Sequence, residues 1–496
     1  MGFNFDKITD RKGTNCIKYD FAIERGMPEN VLPLWVADMD FPTVPEVIED
    51  LKKAVSNGIF GYSEAKSGYF KALSEWYEKY FDWKLKPNWL VKTPGVVFGI
   101  AMAVKAFTNE GDSVIIQQPV YYPFKETIED NNRVVVNNSL KNVNGHYEID
   151  FEDFERKVKE NNVKLFILCS PHNPVGRVWK KWELEKLGDI CVENNVTVVS
   201  DEIHSDFVYP GNKHTAFANI KEEFQNITVT CTAPSKTFNL AGLQVSNIII
   251  PNDELRKKFR KQISAAGYSQ VNALGLVACE SAYRNGRQWL DSLKEYLIEN
   301  LNFVRDYLEE NIPSVKLIEP EGTYLIWLDF GELGLENEEL EQVTGLQSAG
   351  FCHKGGFLMT VGMLEDAVKA CRISMELYHE NPTIVNLGGD SCIDPLLKQL
   401  PGMQEATVIH MDFMQLPELT VDGIYGEAAM DKQQWKNEVK ENLKRILKQK
   451  PEAVYVEGNV FETYPIVHQL RKKHIPVLTM MEKDGQKLII QIPSGS

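Results

Sequence analysis

The pattern that most constrains this chain is an alternation of short apolar runs with helix-length amphipathic stretches, sustained to about Gln342. The runs Ser113–Gln117, Leu165–Cys169, Val196–Ser200 and Val245–Ile250 are strand-length, and turn residues follow them. Amphipathic stretches such as Trp182–Cys191 lie between them. Strands alternating with helices predict an α/β fold with a mainly parallel sheet covered on both faces. Such a sheet binds its ligand beyond the carboxyl ends of the strands. At 496 residues the chain is too long for one ordinary core, so two or three domains are expected.

The alternation predicts a first domain over residues 1–342, with its larger part at about 50–280 and an incomplete smaller part built from both flanks. Residues 343–380 read as a connecting segment, because Gly345, Gly350, Gly355, Gly356 and Gly362 interrupt any period. A second alternation fills 381–496. Strands are expected at Pro382–Leu387, Ala406–Met411, Glu452–Val456 and Ile475–Thr479, with helices at Lys432–Lys450 and near Tyr464–Lys473. That pattern predicts a separate small three-layer α/β domain.

Composition narrows the function. A formal charge of −16 argues against a general nucleic-acid or membrane-surface binder. Hydrophobic and charged fractions of 43% and 25% are those of a soluble globular protein. Eight cysteines are scattered without CxxC pairs or metal-ligand spacing, which predicts free thiols in a reducing cytosol and no metal site. The opening residues carry no signal-peptide pattern and no apolar run is long enough to span a bilayer, so a cytoplasmic setting is expected.

The residues with chemistry fall at the predicted strand ends. Lys236 stands in Ala233-Pro234-Ser235-Lys236-Thr237-Phe238-Asn239, just after the run Ile227–Thr230. A lysine so placed can form a Schiff base with an aldehyde cofactor when its amine is neutral. Pyridoxal phosphate is the cofactor that asks for such a lysine together with a carboxylate for its ring nitrogen. Asp201 closes another apolar strand and can supply that carboxylate, or can simply cap the next turn. Asn173, in Ser170-Pro171-His172-Asn173-Pro174, can donate its amide to the phenolic oxygen, or can belong to an ordinary Asn-Pro turn. His172 and His204 read as hydrogen-bonded histidines of a site wall. Gly95 and Val96 open a helical run and present backbone N–H groups suited to a phosphate. Ser235 can add a hydroxyl there. Tyr121 can stack on a pyridine face or merely pack.

A phosphate-type turn, a tyrosine, an Asn-Pro, an Asp-Glu and a Ser-Lys therefore follow one another at successive strand ends. In this the chain resembles fold-type I pyridoxal-phosphate enzymes, and among them the cystathionine β-lyase-like aminotransferases of the MalY/PatB kind. The narrower resemblance rests on Asp10-Arg11, Leu34–Phe41, Phe60-Gly61-Tyr62, Pro171–Trp179, Asp201–His204 and Gly242-Leu243-Gln244, and covers about residues 3–342. It implies that Lys236 holds the cofactor and moves protons at the substrate Cα. Asp201 would pair with the ring nitrogen, Asn173 with the phenolic oxygen, and Tyr121 would stack on the ring. Gly95, Val96 and Ser235 would hold the phosphate, Tyr62 would reach the phosphate in the other half of a homodimer, and Ala37 would line the substrate side. The implied reaction on an L-amino acid with a sulfur leaving group at Cβ gives a thiol, pyruvate and ammonia. Without that leaving group the same residues serve transamination.

The chain departs from that family at its end. The expected Gly-rich stretch with Phe-x-Arg, whose arginine grips the substrate carboxylate, is not found. Arg372 is the nearest candidate and its surroundings do not match. Losing a bidentate contact of this kind forfeits about 2–5 kcal/mol. A non-catalytic regulatory protein is therefore the rival expectation. The tail resembles the Rossmann-like sensor domains of CRISPR-associated proteins, which implies a small ligand near Asn386–Ser391 and Glu457–Asn459. A structural or dimerisation role is the alternative there.

Overall fold

The computed structural model describes residues 3–25 and 37–334, and beyond them the backbone of strands at 356–360, 383–386, 407–410, 453–455, 477–483 and 486–491. The chain divides into two units: 1–21 with 33–334 and 350–364, and 22–32 with 335–349 and 365–496.

The first unit is built on seven strands: β1 (Leu90–Thr93), β2 (Ser113–Ile116), β3 (Val134–Asn137), β6 (Leu165–Cys169), β7 (Thr197–Asp201), β8 (Thr228–Thr232) and β9 (Ser246–Ile249). A small hairpin, β4 (Lys141–Val143) with β5 (His146–Glu148), interrupts the count. The sheet order is β1-β9-β8-β7-β6-β2-β3. Neighbours from β8 to β3 pair in parallel, and β9 alone runs against both of its neighbours. The run at 246–249 reads in the sequence like its parallel neighbours. It reverses because a parallel neighbour requires a crossover, usually a full helix. The link from β8 to β9 holds only one helical turn, Pro234–Thr237, and a short 3-10 segment.

All five residues of β6 are buried, which is why its sequence is continuously apolar rather than alternating. Its side chains still divide by strand periodicity. Leu165, Ile167 and Cys169 enter a core with the helix Val96–Phe107, while Phe166 and Leu168 enter a second core with Phe154, Leu184 and Leu187. Helices thus cover both faces, and only the strand ends are left for a ligand. A second sheet joins β10 (Lys316–Ile318), β11 (Leu325–Asp329) and β12 (Gly356–Thr360), all antiparallel. In register, Leu325 faces Thr360 and Asp329 faces Gly356. The segment expected as a connector, 343–380, therefore contributes an edge strand to this sheet.

The second unit carries β13 (Thr383–Asn386), β14 (Thr407–His410), β15 (Ala453–Tyr455), β16 (Val477–Lys483) and β17 (Gln486–Gln491), in the order β14-β13-β15-β16-β17. The first four are parallel, and β17 closes an antiparallel hairpin on β16. The helices expected at 432–450 and 464–473 lie outside the described residues.

The helix Val96–Phe107 sits close to the sheet because Gly99 has no side chain. A Cβ there would stand 2.9 Å from Ile248 Cδ1, on the strand beneath. Gly99→Val should force that contact apart and destabilise the fold by about 1–3 kcal/mol. A lower melting temperature, set against that of the milder Gly99→Ala, checks this.

Candidate active site

β1, β2, β6, β7 and β8 point the same way, so their carboxyl ends share one edge of the sheet. Gly95 and Val96 follow β1, Tyr121 follows β2, Asn173 follows β6, Asp201 ends β7, and Ser235 and Lys236 follow β8. Residues up to 141 positions apart in sequence (95 to 236) thus arrive along one edge by topology alone.

Lys236 lies in the single turn Pro234–Thr237, and its Nζ donates to the Ala37 carbonyl at 2.9 Å. Desolvation brings its pKa down to about 8, against the opposing pull of Asp38 and Asp201. Asp201 is 5% exposed, and its Oδ1 accepts only the Ile203 N–H, at 3.1 Å, among its hydrogen bonds here. Desolvation raises its pKa to about 7, more than that one hydrogen bond and the Lys236 charge can offset. The adjacent Glu202 serves a different purpose. It accepts from Ser200 Oγ, the Phe217 N–H and His214 Nε2, and so ties the strand end to the wall behind it.

Asn173 is buried, its backbone carbonyl accepts the Tyr121 N–H at 3.0 Å, and its side-chain Oδ1 has no partner. His204 Nδ1 is likewise buried and unpartnered, and burial holds that ring neutral with a pKa of about 3. His172 sits against Trp179 with Nε2 on the Pro119 carbonyl, as a wall histidine should. Gly95 opens the helix Val96–Phe107, and a Cβ at that position would meet nothing within 4 Å. Orphaned buried polar atoms are costly and call for a missing partner. A desolvated acid, a low-pKa lysine and an open turn at a helix start fit pyridoxal phosphate.

Tyr62 stands apart, 97% exposed, and within one chain the structure does not bring it to the others. Ser235 is half-buried beside Lys236. Arg372 lies outside the described residues. Two described arginines are already engaged: Arg11 with Asp38 and Asp40, and Arg177 with Glu183 and Glu321. Among the described residues, no group of three or more His, Cys, Asp or Glu side chains is arranged to hold a metal.

Sequence reasoning missed what fixes Ala37. Asn239 Nδ2 donates to the Met39 and Phe41 carbonyls at 2.8 and 2.9 Å, and its Oδ1 accepts the Met39 N–H at 3.2 Å. Arg11 reaches Asp38 and Asp40 at 2.5 and 2.9 Å, while Lys18 reaches the Asp38 carbonyl and Asp40 at 3.1 and 2.9 Å. The Tyr324 hydroxyl donates to the Ala37 carbonyl at 2.6 Å. The local signal was an Asn in the left-handed region (φ 55°) three residues beyond the lysine.

The family model for class I and II aminotransferases matches residues 29–379. The chain belongs to that family. It is 46% identical to cystathionine beta-lyase PatB of Bacillus subtilis over 339 residues, which is 68% of this chain and 88% of that protein. Among solved structures it is similar to cystalysin from Treponema denticola, which contains a pyridoxal 5'-phosphate cofactor. Identity there is 36%, the TM-score is 0.72, and the match covers 76% of this chain and 99% of the other. A pyridoxal-phosphate-bound C–S lyase from Staphylococcus hominis is 32% identical with a TM-score of 0.69, covering 76% and 97%. The family fold is the fold-type I transferase architecture that the resemblance implies, built on the mainly parallel sheet that the strand alternation predicts.

The Asp201 carboxyl makes stability depend on pH. Folded, it keeps its proton to about pH 7, while in the unfolded chain it releases it near the ordinary 3.8. Between those values the unfolded state binds fewer protons, so this group's contribution to stability falls as pH rises and levels off above about pH 7. In cofactor-free protein, Asp201→Asn should gain on the parent by roughly 1–3 kcal/mol between pH 4 and pH 8. Urea unfolding at both pH values measures the difference, and equal gaps would contradict it.

Proposed function

We propose that this chain is a pyridoxal-phosphate-dependent carbon–sulfur β-lyase acting on cystathionine-like L-amino acids. The observation that carries this reading is the convergence of Lys236, Asp201 and Asn173 on one sheet edge in a chain 46% identical to a cystathionine beta-lyase. Pyridoxal phosphate supplies an electron sink for negative charge at the substrate Cα. Asp201 would hold the ring nitrogen, Asn173 the phenolic oxygen and Tyr121 the ring face. Gly95, Val96 and Ser235 would hold the phosphate.

Lys236 would hold the cofactor, and its free amine would take the Cα proton. Its depressed pKa suits that work, since the neutral amine is the base and a base works best near the operating pH. As the Cα proton leaves, the Cβ–S bond breaks and the sulfur departs with the bonding electrons. Protonation of that sulfur gives the thiol. Water then converts the remaining unsaturated fragment to pyruvate and ammonia. The fixed carbonyl of Ala37 lines the substrate side and keeps the lysine amine from wandering.

The reading includes a cytoplasmic homodimer. Tyr62, with Ile59 and Phe60 also exposed nearby, supports a contact to the partner's cofactor phosphate. The free thiols of Cys169, Cys191, Cys231 and Cys279, all buried, suit a reducing compartment. Residues 381–496 are proposed as a domain of their own that takes a small ligand. Asn386, His410 and Tyr455 share one register row at the carboxyl edge of its parallel strands, where chain order reverses around β13. The glycine-bearing segments singled out in the sequence follow that row but lie outside the described residues.

Purified protein given pyridoxal phosphate and L-cystathionine should release pyruvate with no keto acid added. Amino-group transfer that requires a keto acid would instead mark an aminotransferase. Lys236→Ala should lower pyruvate release by about 10³-fold or more, and a variant that keeps full turnover would remove Lys236 from the chemistry.

A further inference from the structure

The Ala37 carbonyl accepts two hydrogen bonds, from the Lys236 amine at 2.9 Å and from the Tyr324 hydroxyl at 2.6 Å. A carbonyl oxygen has two lone pairs, so both donors are accommodated. They compete nonetheless. Each draws on the electron density of the same oxygen, so a stronger donor on one side leaves a weaker acceptor for the other.

Neither oxygen is free to drift. Tyr324 is 1% exposed and enters β11 with its ring edge-on to Phe207 and His204, at 4.8 and 5.4 Å. The Ala37 end of the contact is held through Asp38, Met39 and Asp40 by Lys18, Asn239 and Arg11. The amine therefore meets a carbonyl whose position is fixed and whose strength is set by a phenol.

We propose that Tyr324 is a positioning residue for Lys236: by sharing the Ala37 carbonyl it weakens that oxygen's hold on the ammonium form, and so sets the pH at which the amine becomes a base. This deepens the function proposed above and rests on Lys236 being the reactive lysine. The other groups acting on the amine are Asp38 and Asp201, which favour its charge, and Lys18, which opposes it. His204 faces it as a neutral ring. Tyr324 itself stays protonated, because burial raises its pKa well above the ordinary value. It acts by donation and never by charge.

The test uses cofactor-free full-length protein. Acetic anhydride labels neutral amines, and peptide mass spectrometry reads the extent at Lys236 across a pH series. Parent protein should give a midpoint near 8. Tyr324→Phe leaves the carbonyl to the amine alone, favours the ammonium, and should move the midpoint up by about half a unit to one unit. Labelling at pH 8 then falls about two- to fivefold. 3-Fluorotyrosine placed at 324 alone is a stronger donor that keeps the ring's shape, and should move the midpoint down. Opposite shifts support the proposal. A midpoint unmoved by the fluorinated residue overturns it, even if the phenylalanine variant fails to fold. Shifts in the same direction, or a lower melting temperature with no shift, also overturn it. Pyridoxal phosphate added before the label should protect Lys236. Lack of protection overturns the assignment of Lys236 as the cofactor lysine and leaves the midpoint result standing on its own.

Discussion

Burial of the central parallel strands on both faces is the constraint from which the rest follows. A strand covered above and below must be apolar along its whole length, and its backbone groups must be satisfied by neighbouring strands. β6 meets both demands, while β7 and β8, paired in the same ladder, add the small hydroxyl residues Ser200, Thr228, Thr230 and Thr232 to the buried interior. Among the described residues of β6, β7 and β8, charged side chains are thereby kept out of the strand interiors and reach the sheet only at its carboxyl edge, in Asp201. Cys169, Asp201 and Cys231 are register partners across that edge, so the one acid among them is flanked by thiols rather than charges.

That setting explains the electrostatics of the site. Desolvation is the largest influence on both Asp201 and Lys236, and it drives their pKa values toward each other. Both groups are pressed toward neutrality in the absence of a ligand. A bound cationic ring nitrogen would restore the charge on Asp201, because an opposite charge nearby favours ionisation. The same desolvation that penalises the isolated acid makes its later pairing strong.

The sheet and most of the site were legible because both depend on local sequence. Continuous apolar runs mark buried strands, and the candidate site residues sit within a few positions of where each run stops. Reversal of β9 was hidden, since a strand's direction depends on the path between strands rather than on its own residues. The clamp around Ala37 was hidden for a related reason: Arg11, Lys18 and Tyr324 reach it across long stretches of chain and leave no periodic trace. In the second unit β13 to β16 were readable as apolar runs. β17 was not recognised, although Asp484-Gly485 between it and β16 is a common hairpin signal.

Asn239 joins its own turn to Met39 and Phe41, 200 and 198 residues earlier in the chain. Residues 37–41 leave the ribosome long before the turn that receives them exists. They can take their final place only after most of the first unit has been made, because contacts this distant in sequence bring their reward late. The Lys236 amine accordingly gains its carbonyl partner only when an earlier-made segment settles onto a much later one. A change at Arg11, Lys18 or Met39 therefore acts on the candidate site at first hand.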